Sequence, residues 1–192
     1  MATERADFHK KMLILMAVPQ ESQGLIEPWA KHRQIPLIFT GMGLVNAAAK
    51  TAEAIVKYQP EWILNLGTGG SRKFTAGTVV ECIEFNRRDH PISFLNKKIK
   101  IPSQTQLQTT NCGSADFVDV TDQVEQFGIV DMEAYAIASV CQNFKIKMTC
   151  VKSVSDDSTG TPDLKKVKSD WEKNLNICSK NLFEFLQQVE KF

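Results

Sequence analysis

Two hydrophobic periods alternate along this chain. Short unbroken apolar runs suit strands buried on both faces; between them, apolar residues recur every three or four positions, as on one face of a helix. Residues 12–18 form the first such run, and a helix bent at Pro28 is expected over 20–31. A second strand is predicted over 36–40, closed by the turn Gly41-Met42-Gly43. Val45, Ala48, Ala52, Ile55 and Val56 then share one helical face, Pro60 ends that helix, and 62–66 is the next buried strand. A glycine-rich turn is read over 67–77 and a β-branched strand over 78–85. The pattern lapses over 86–100, a charged excursion containing Pro91, and resumes with a strand over 107–111. A helix over 132–144, with Ala134, Ile137, Ala138 and Cys141 inward, leads to a strand over 148–154. The last helix carries the longest stripe: Leu164, Val167, Trp171, Leu175, Cys178, Leu182, Phe185 and Val189.

Such alternation predicts an α/β protein, a three-layer αβα sandwich around a mixed, largely parallel central sheet, in one domain over 1–192. Ligands in folds of this kind bind where strands end and loops begin. The composition narrows the partners. A formal net charge of +1 leaves no whole-chain electrostatic footprint for nucleic acid or for an anionic membrane. No apolar stretch approaches the roughly 20 residues that cross a bilayer. Lys10 and Lys11 before the first apolar run imitate a signal peptide, but Glu4 and Asp7 precede them and Pro19-Gln20-Glu21 follows, so a core strand is the better reading. Cys82, Cys112, Cys141, Cys150 and Cys178 form no C-x-x-C pair and read as reduced, mostly buried thiols of a cytoplasmic protein. His9, His32 and His90 fall into no ligand spacing, so no metal site is expected.

Three carboxylates stand at element ends: Glu21 after the first strand, Glu133 at the start of a helix, and Asp156 after the strand that ends in Val154-Ser155. Singly, each reads as an acid favoured by a helix N-terminus, with Asp156 a candidate N-cap. Their neighbours change that weighting. Leu64-Asn65-Leu66-Gly67-Thr68-Gly69-Gly70 suggests a strand feeding a turn where backbone meets ligand. Val130-Asp131-Met132-Glu133-Ala134-Tyr135-Ala136-Ile137-Ala138 resembles the signature of the purine and uridine phosphorylase superfamily, and especially of its methylthioadenosine/S-adenosylhomocysteine nucleosidase branch. Ala17-Val18-Pro19-Gln20-Glu21, Thr40-Gly41-Met42-Gly43 and Lys152-Ser153-Val154-Ser155-Asp156 resemble further segments of that family in the same order.

The resemblance implies roles. Glu21 is the expected general base towards water and Asp156 the donor of a proton towards N7 of the departing purine. Glu133 is expected on the ribose hydroxyls and Met132 under the sugar. Phe117 is expected to stack on the base, whose edge the Val118 backbone reads. Ser155 orients Asp156, Thr68 and Lys152 lie near the water, and Ala17 and Met42 complete the substrate-binding set. Cleavage of an N-ribosyl bond needs the leaving base protonated while a second carboxylate activates water, and neither step needs a metal or an organic cofactor. The implied partners are a small purine nucleoside or adenine and a second copy of the chain, since relatives are homodimers. A phosphorylase would need converging basic groups, but Ile63-Leu64-Asn65-Leu66 offers no arginine ahead of the glycines, and Arg72 reads as a solvated loop charge. The alternatives are a phosphorylase, a futalosine hydrolase and a purine-binding module without turnover. The chain departs from the family in a missing hairpin between Lys31 and Pro36, a reduced 86–100 excursion, and Lys152 in place of arginine. Arg87, Arg88, Lys97, Lys98 and Lys100 read as a solvated loop, with an anionic 5′ group of the substrate as the sharper possibility.

Overall fold

A computed structural model of the chain describes residues 11–89, 98–117, 125–156 and 163–189. Its eight strands are β1 (Met12–Met16), β2 (Leu37–Phe39), β3 (Trp62–Gly70), β4 (Val79–Arg87), β5 (Ile99–Lys100), β6 (Thr109–Ser114), β7 (Ile129–Asp131) and β8 (Lys147–Asp156). Its four α-helices are α1 (Ile26–His32), α2 (Leu44–Tyr58), α3 (Ala134–Phe144) and α4 (Leu164–Val189). The strands make one mixed, largely parallel sheet: β1 lies between β2 and β3, and β8 runs parallel to β3 and antiparallel to β4. Further pairing of β4 with β6, β6 with β7, and β7 with β3 at Gly70 and Val130 closes five of the strands into a ring.

The unbroken apolar run of β1 is explained by its two buried faces. Leu13 and Leu15 join a core with α2 and α3, while Met12, Ile14 and Met16 join another with α1 and α4. The helices thus form the outer layers and the sheet the middle one, the arrangement expected of alternating strands and helices.

Four local expectations are corrected. The helix read over 20–31 is two pieces, a 3₁₀ turn at Pro19–Glu21 and then α1, separated by Gln23 and Gly24 at positive φ. Pro28 lies in the first turn of α1, where its missing N–H breaks no helical bond, and so does not bend it. The inward face of α2 is Leu44, Ala47, Thr51, Ala54 and Ile55, while Val45 and Val56 are 76% and 69% exposed. The stripe is set one position earlier because α2 packs on α3, where small residues allow close approach. The glycines after Leu66 continue β3 to Gly70 rather than turning the chain.

Those glycines permit close contacts. A Cβ on Gly69 would stand 2.7 Å from Ile129 Cγ2 and 2.9 Å from the Val130 carbonyl oxygen, so the ring closes only because position 69 has no side chain. A Cβ on Gly67 would lie 3.1 Å from Glu21 Oε1 and 3.3 Å from Lys152 Nζ. Between α1 and β2 the chain turns directly through Arg33 and Gln34, as the missing hairpin implies. Glu81, buried within β4, is matched by donors from Ser103, Gln104 and Thr105, which tie the segment after β5 to the sheet. All five cysteines are free and buried. No helix among the described residues is long and apolar enough to cross a membrane.

Candidate active site

The buried polar side chains gather where β1, β3 and β8 end. The 3₁₀ turn after β1 brings Glu21 back over the first residues past the strand. Its Oε2 accepts from the Ala17 and Val18 N–H groups at 3.2 and 3.4 Å. Its Oε1 accepts from both the N–H and the hydroxyl of Thr68, each at 2.7 Å. Four donors on a buried carboxylate hold it in one orientation. Trp171 of α4 donates its indole N–H to Thr68 Oγ1 at 3.0 Å.

Over the same face of Gly67 stands Lys152. Its ammonium contacts Asp131 Oδ2 at 2.8 Å, and both side chains are almost wholly enclosed. Asp131 also accepts from the Ser114 hydroxyl at 2.5 Å and from the Ala134 N–H at 3.0 Å. Burial works against the charge of both partners. Each holds the other charged all the same: Asp131 is pulled below the usual carboxylate range, chiefly by Lys152, and Lys152 is raised well above its ordinary value by Asp131, with Glu133 and Glu21 adding to the effect.

Glu133 precedes α3 and points towards α2, where its Oε1 accepts from the Gly43 N–H at 2.9 Å. Asp116 accepts from the next donor, Leu44 N–H, at 2.5 Å, so two carboxylates meet the N-terminus of α2. Gly43 sits there at φ 93°, and a Cβ on it would come within 2.8 Å of Asp116 Oδ1. Burial, and then repulsion from Asp131, push Glu133 up to about 8.

Asp156 ends β8 opposite Gly70, two residues beyond Thr68 in β3. Its Oδ2 accepts from the Ser155 hydroxyl at 2.8 Å, and the Ser155 carbonyl oxygen is held by Asn174 of α4 at 2.7 Å. Asp156 is a strand-end residue rather than an N-cap, and it lines a cleft of about 550 Å³ together with Ser71, Phe74, Lys166, Asp170 and Asn174. That volume is in the range that encloses a small organic ligand. Glu21 and Glu133 lie outside this lining.

Several expected residues thus share one neighbourhood. Ala17, Glu21 and Thr68 are directly bonded, Ser155 bonds Asp156, and Lys152 shares one face of Gly67 with Glu21. Met132 lies half-buried between Asp131 and Glu133, and Met42 is exposed beside Gly43. Phe117 is half-exposed under Arg88, whose guanidinium carbon stands 5.6 Å from the ring centroid. Val118, like Lys97, His9 and His90, lies outside the described residues.

Two readings of charge change. Arg72 is not a solvated loop charge: its side chain is 15% exposed and bonded to Glu125 at 3.0 Å. Lys98 and Lys100 both pair with Glu84, and Arg87 pairs with Asp89, so of the described basic residues in the excursion only Arg88 stands beside an expected site residue. Sequence reasoning missed Asp131, Asp116, Asn174 and the polar role of Trp171. Asp131 did lie within the quoted signature, directly before Met132-Glu133, and that adjacency was the available signal. Among the described residues, no group of three or more His, Cys, Asp or Glu side chains could hold a metal ion.

Comparison with known proteins shows what the chain resembles in sequence and fold. The family model of the phosphorylase superfamily matches residues 119–189. A 5′-methylthioadenosine/S-adenosylhomocysteine nucleosidase from Buchnera aphidicola is 27% identical over 182 residues, covering 78% of this chain and 75% of that protein. The nucleosidase of the same name from Staphylococcus aureus is 27% identical, with 70% and 73% covered. Among solved structures, the 5′-methylthioadenosine nucleosidase of Arabidopsis thaliana superposes with a TM-score of 0.80 at 18% identity, over 94% of each chain. The futalosine hydrolase of Helicobacter pylori gives 0.73 at 16% identity, over 95% of this chain and 99% of that one. In sequence and fold together, this chain resembles the phosphorylase superfamily and, within it, the methylthioadenosine/S-adenosylhomocysteine nucleosidases.

Proposed function

We propose that this protein is an enzyme that hydrolyses the N-glycosidic bond of a purine nucleoside of the methylthioadenosine/S-adenosylhomocysteine type. Glu21 takes a proton from water, whose oxygen bonds to the anomeric carbon. The carbon–nitrogen bond breaks towards the purine, and Asp156 supplies the proton that the departing base needs. Glu133 and Met132 take the ribose, and Phe117 and Val118 the base. Lys152 stabilises charge near the water.

The observation that carries this reading is the seat of Glu21: a carboxylate fixed by four donors over the side-chain-free face of Gly67, which it shares with the buried ammonium of Lys152. A base held in that way suits water, and Ile63-Leu64-Asn65-Leu66, ahead of the glycines, offers no arginine to an incoming phosphate. The named activity of the relatives supports the same chemistry. The test is release of free base from methylthioadenosine, adenosylhomocysteine, adenosine, inosine and futalosine, with and without phosphate. Free base and free ribose sugar, formed independently of phosphate and abolished in Glu21→Gln and Asp156→Asn, are expected. Release that requires phosphate would make the protein a phosphorylase, and adenine binding without turnover a binding module.

The reading carries two further expectations. Met42 and Phe117, both substrate-side residues, are 63% and 48% exposed, and a second copy would supply the missing cover. Sedimentation equilibrium should therefore report a homodimer. Five free buried thiols fit a reducing compartment, the cytoplasm.

A further inference from the structure

The C-terminal helix does more at the site than cover one face of the sheet. Its inward side carries a row of polar bonds: Asn174 to the Ser155 carbonyl at 2.7 Å, Cys178 to the Val154 carbonyl at 3.1 Å, Ser179 to the Ser22 carbonyl at 2.6 Å and Asn181 to the Gly77 carbonyl at 2.7 Å. These bonds fix where α4 lies against β8 and the turn holding Glu21. Trp171, one turn earlier on the same side, is thereby held with its indole nitrogen 3.0 Å from Thr68 Oγ1.

An indole N–H can only donate, and a threonine hydroxyl has one hydrogen and two lone pairs. With one lone pair taken by Trp171, the hydroxyl hydrogen turns to the acceptor 2.7 Å away, Glu21 Oε1. That oxygen already accepts the Thr68 N–H at 2.7 Å, so two short bonds occupy it. Oε2 has only the longer contacts from Ala17 and Val18, at 3.2 and 3.4 Å. The two oxygens of the carboxylate are therefore unequal, and the inequality begins at Trp171.

We propose that Trp171 is a positioning residue for Glu21: through Thr68 it fixes the direction of the hydroxyl bond to Oε1 and leaves Oε2 as the oxygen that accepts the proton of water. This rests on the hydrolase reading above. Without the indole N–H, the Thr68 hydroxyl rotates between acceptors, and Glu21 loses its fixed orientation while the substrate contacts remain.

The experiment is a double-mutant cycle read in steady-state kinetics. Trp171→Phe keeps an aromatic ring and removes the donor, and Thr68→Val removes the hydroxyl while keeping the N–H. Trp171→Phe should lower kcat by about five- to tenfold with KM within about twofold, a fraction of what loss of a general base costs. In the Thr68→Val background the same change should alter kcat by less than about twofold, because the two residues act in series. If Trp171→Phe folds poorly, benzothienylalanine at position 171 replaces the N–H by sulfur with almost no change of shape. In the unliganded protein, the indole N–H signal of residue 171 should exchange with solvent faster in Thr68→Val than in wild type. Equal kcat losses in both backgrounds, or an indole signal indifferent to Thr68→Val, would show that Trp171 acts by packing and overturn the proposal. A wild type that releases no base from any nucleoside would overturn the hydrolase reading and the role of Oε2 with it.

Discussion

At Glu21 four donors converge on two oxygens, and at Asp156 a serine hydroxyl and an asparagine-anchored carbonyl fix a strand-end acid. Replacing either by its amide keeps the shape and removes the proton chemistry. Glu21→Gln and Asp156→Asn should each lower kcat by at least about 100-fold, the usual reach of a general base or acid, while thermal midpoints stay close to wild type. Glu133 gives a pH prediction. Its pKa rises from 4.5 to about 8 on folding, so between those values the folded state binds more protons than the unfolded one. Stability contributed by this residue therefore falls as pH rises through that window and levels off above it. Urea midpoints followed from about pH 5 to about pH 9 should decline less steeply in Glu133→Gln than in wild type. Parallel profiles would assign the slope to another group. Glu21, Thr68, Lys152 and Ser155 could be singled out as candidates from their segments. Trp171 could not, because an indole in an apolar stripe reads as core, and only its partner reveals that its nitrogen is used.

At the scale of elements, the buried pair Asp131–Lys152 ties β7 to β8, two strands separated in the sheet by β3. Removing one partner leaves an uncompensated buried charge and costs about 3–5 kcal/mol, whereas removing both is far milder. Lys152→Met should lower the denaturation midpoint sharply, and adding Asp131→Asn should recover most of the loss. No recovery in the double variant would show that Asp131 is held mainly by Ser114 and the α3 N-terminus. The helices show where periodicity suffices and where it fails. The inner face of α3 is as the spacing gives it, since alanines and one isoleucine leave a single apolar side. In α2, where alanine, valine and threonine surround the axis, two adjacent stripes are nearly as apolar, and the contact with α3 chooses between them.

For the whole molecule, closure of the sheet at β3 and β7 depends on Gly69 having no side chain. Gly69→Ala would drive a methyl into Ile129 and the Val130 carbonyl, parting β3 from β7. Calorimetry should show a loss of about 1–3 kcal/mol, typical of overpacking in a closed core. Gly24→Ala, where a Cβ would meet nothing within 4 Å but φ is +70°, is the comparison for backbone strain alone. Six of the eight strands, their alternation with the helices, the two buried faces of β1 and the carboxylates at the element ends follow from local sequence, because burial imposes its period residue by residue on each element, whereas the two short strands β5 and β7 carry too few residues to show a period. What the site is made of does not follow from local sequence. Glu21 meets Thr68 across 47 residues, Thr68 meets Trp171 across 103, and Gly43 meets Glu133 across 90. Those pairings come from strand order and closure of the sheet. Only packing sets them, since the donors and acceptors of a chain carry no mark of their partners until folding buries them together.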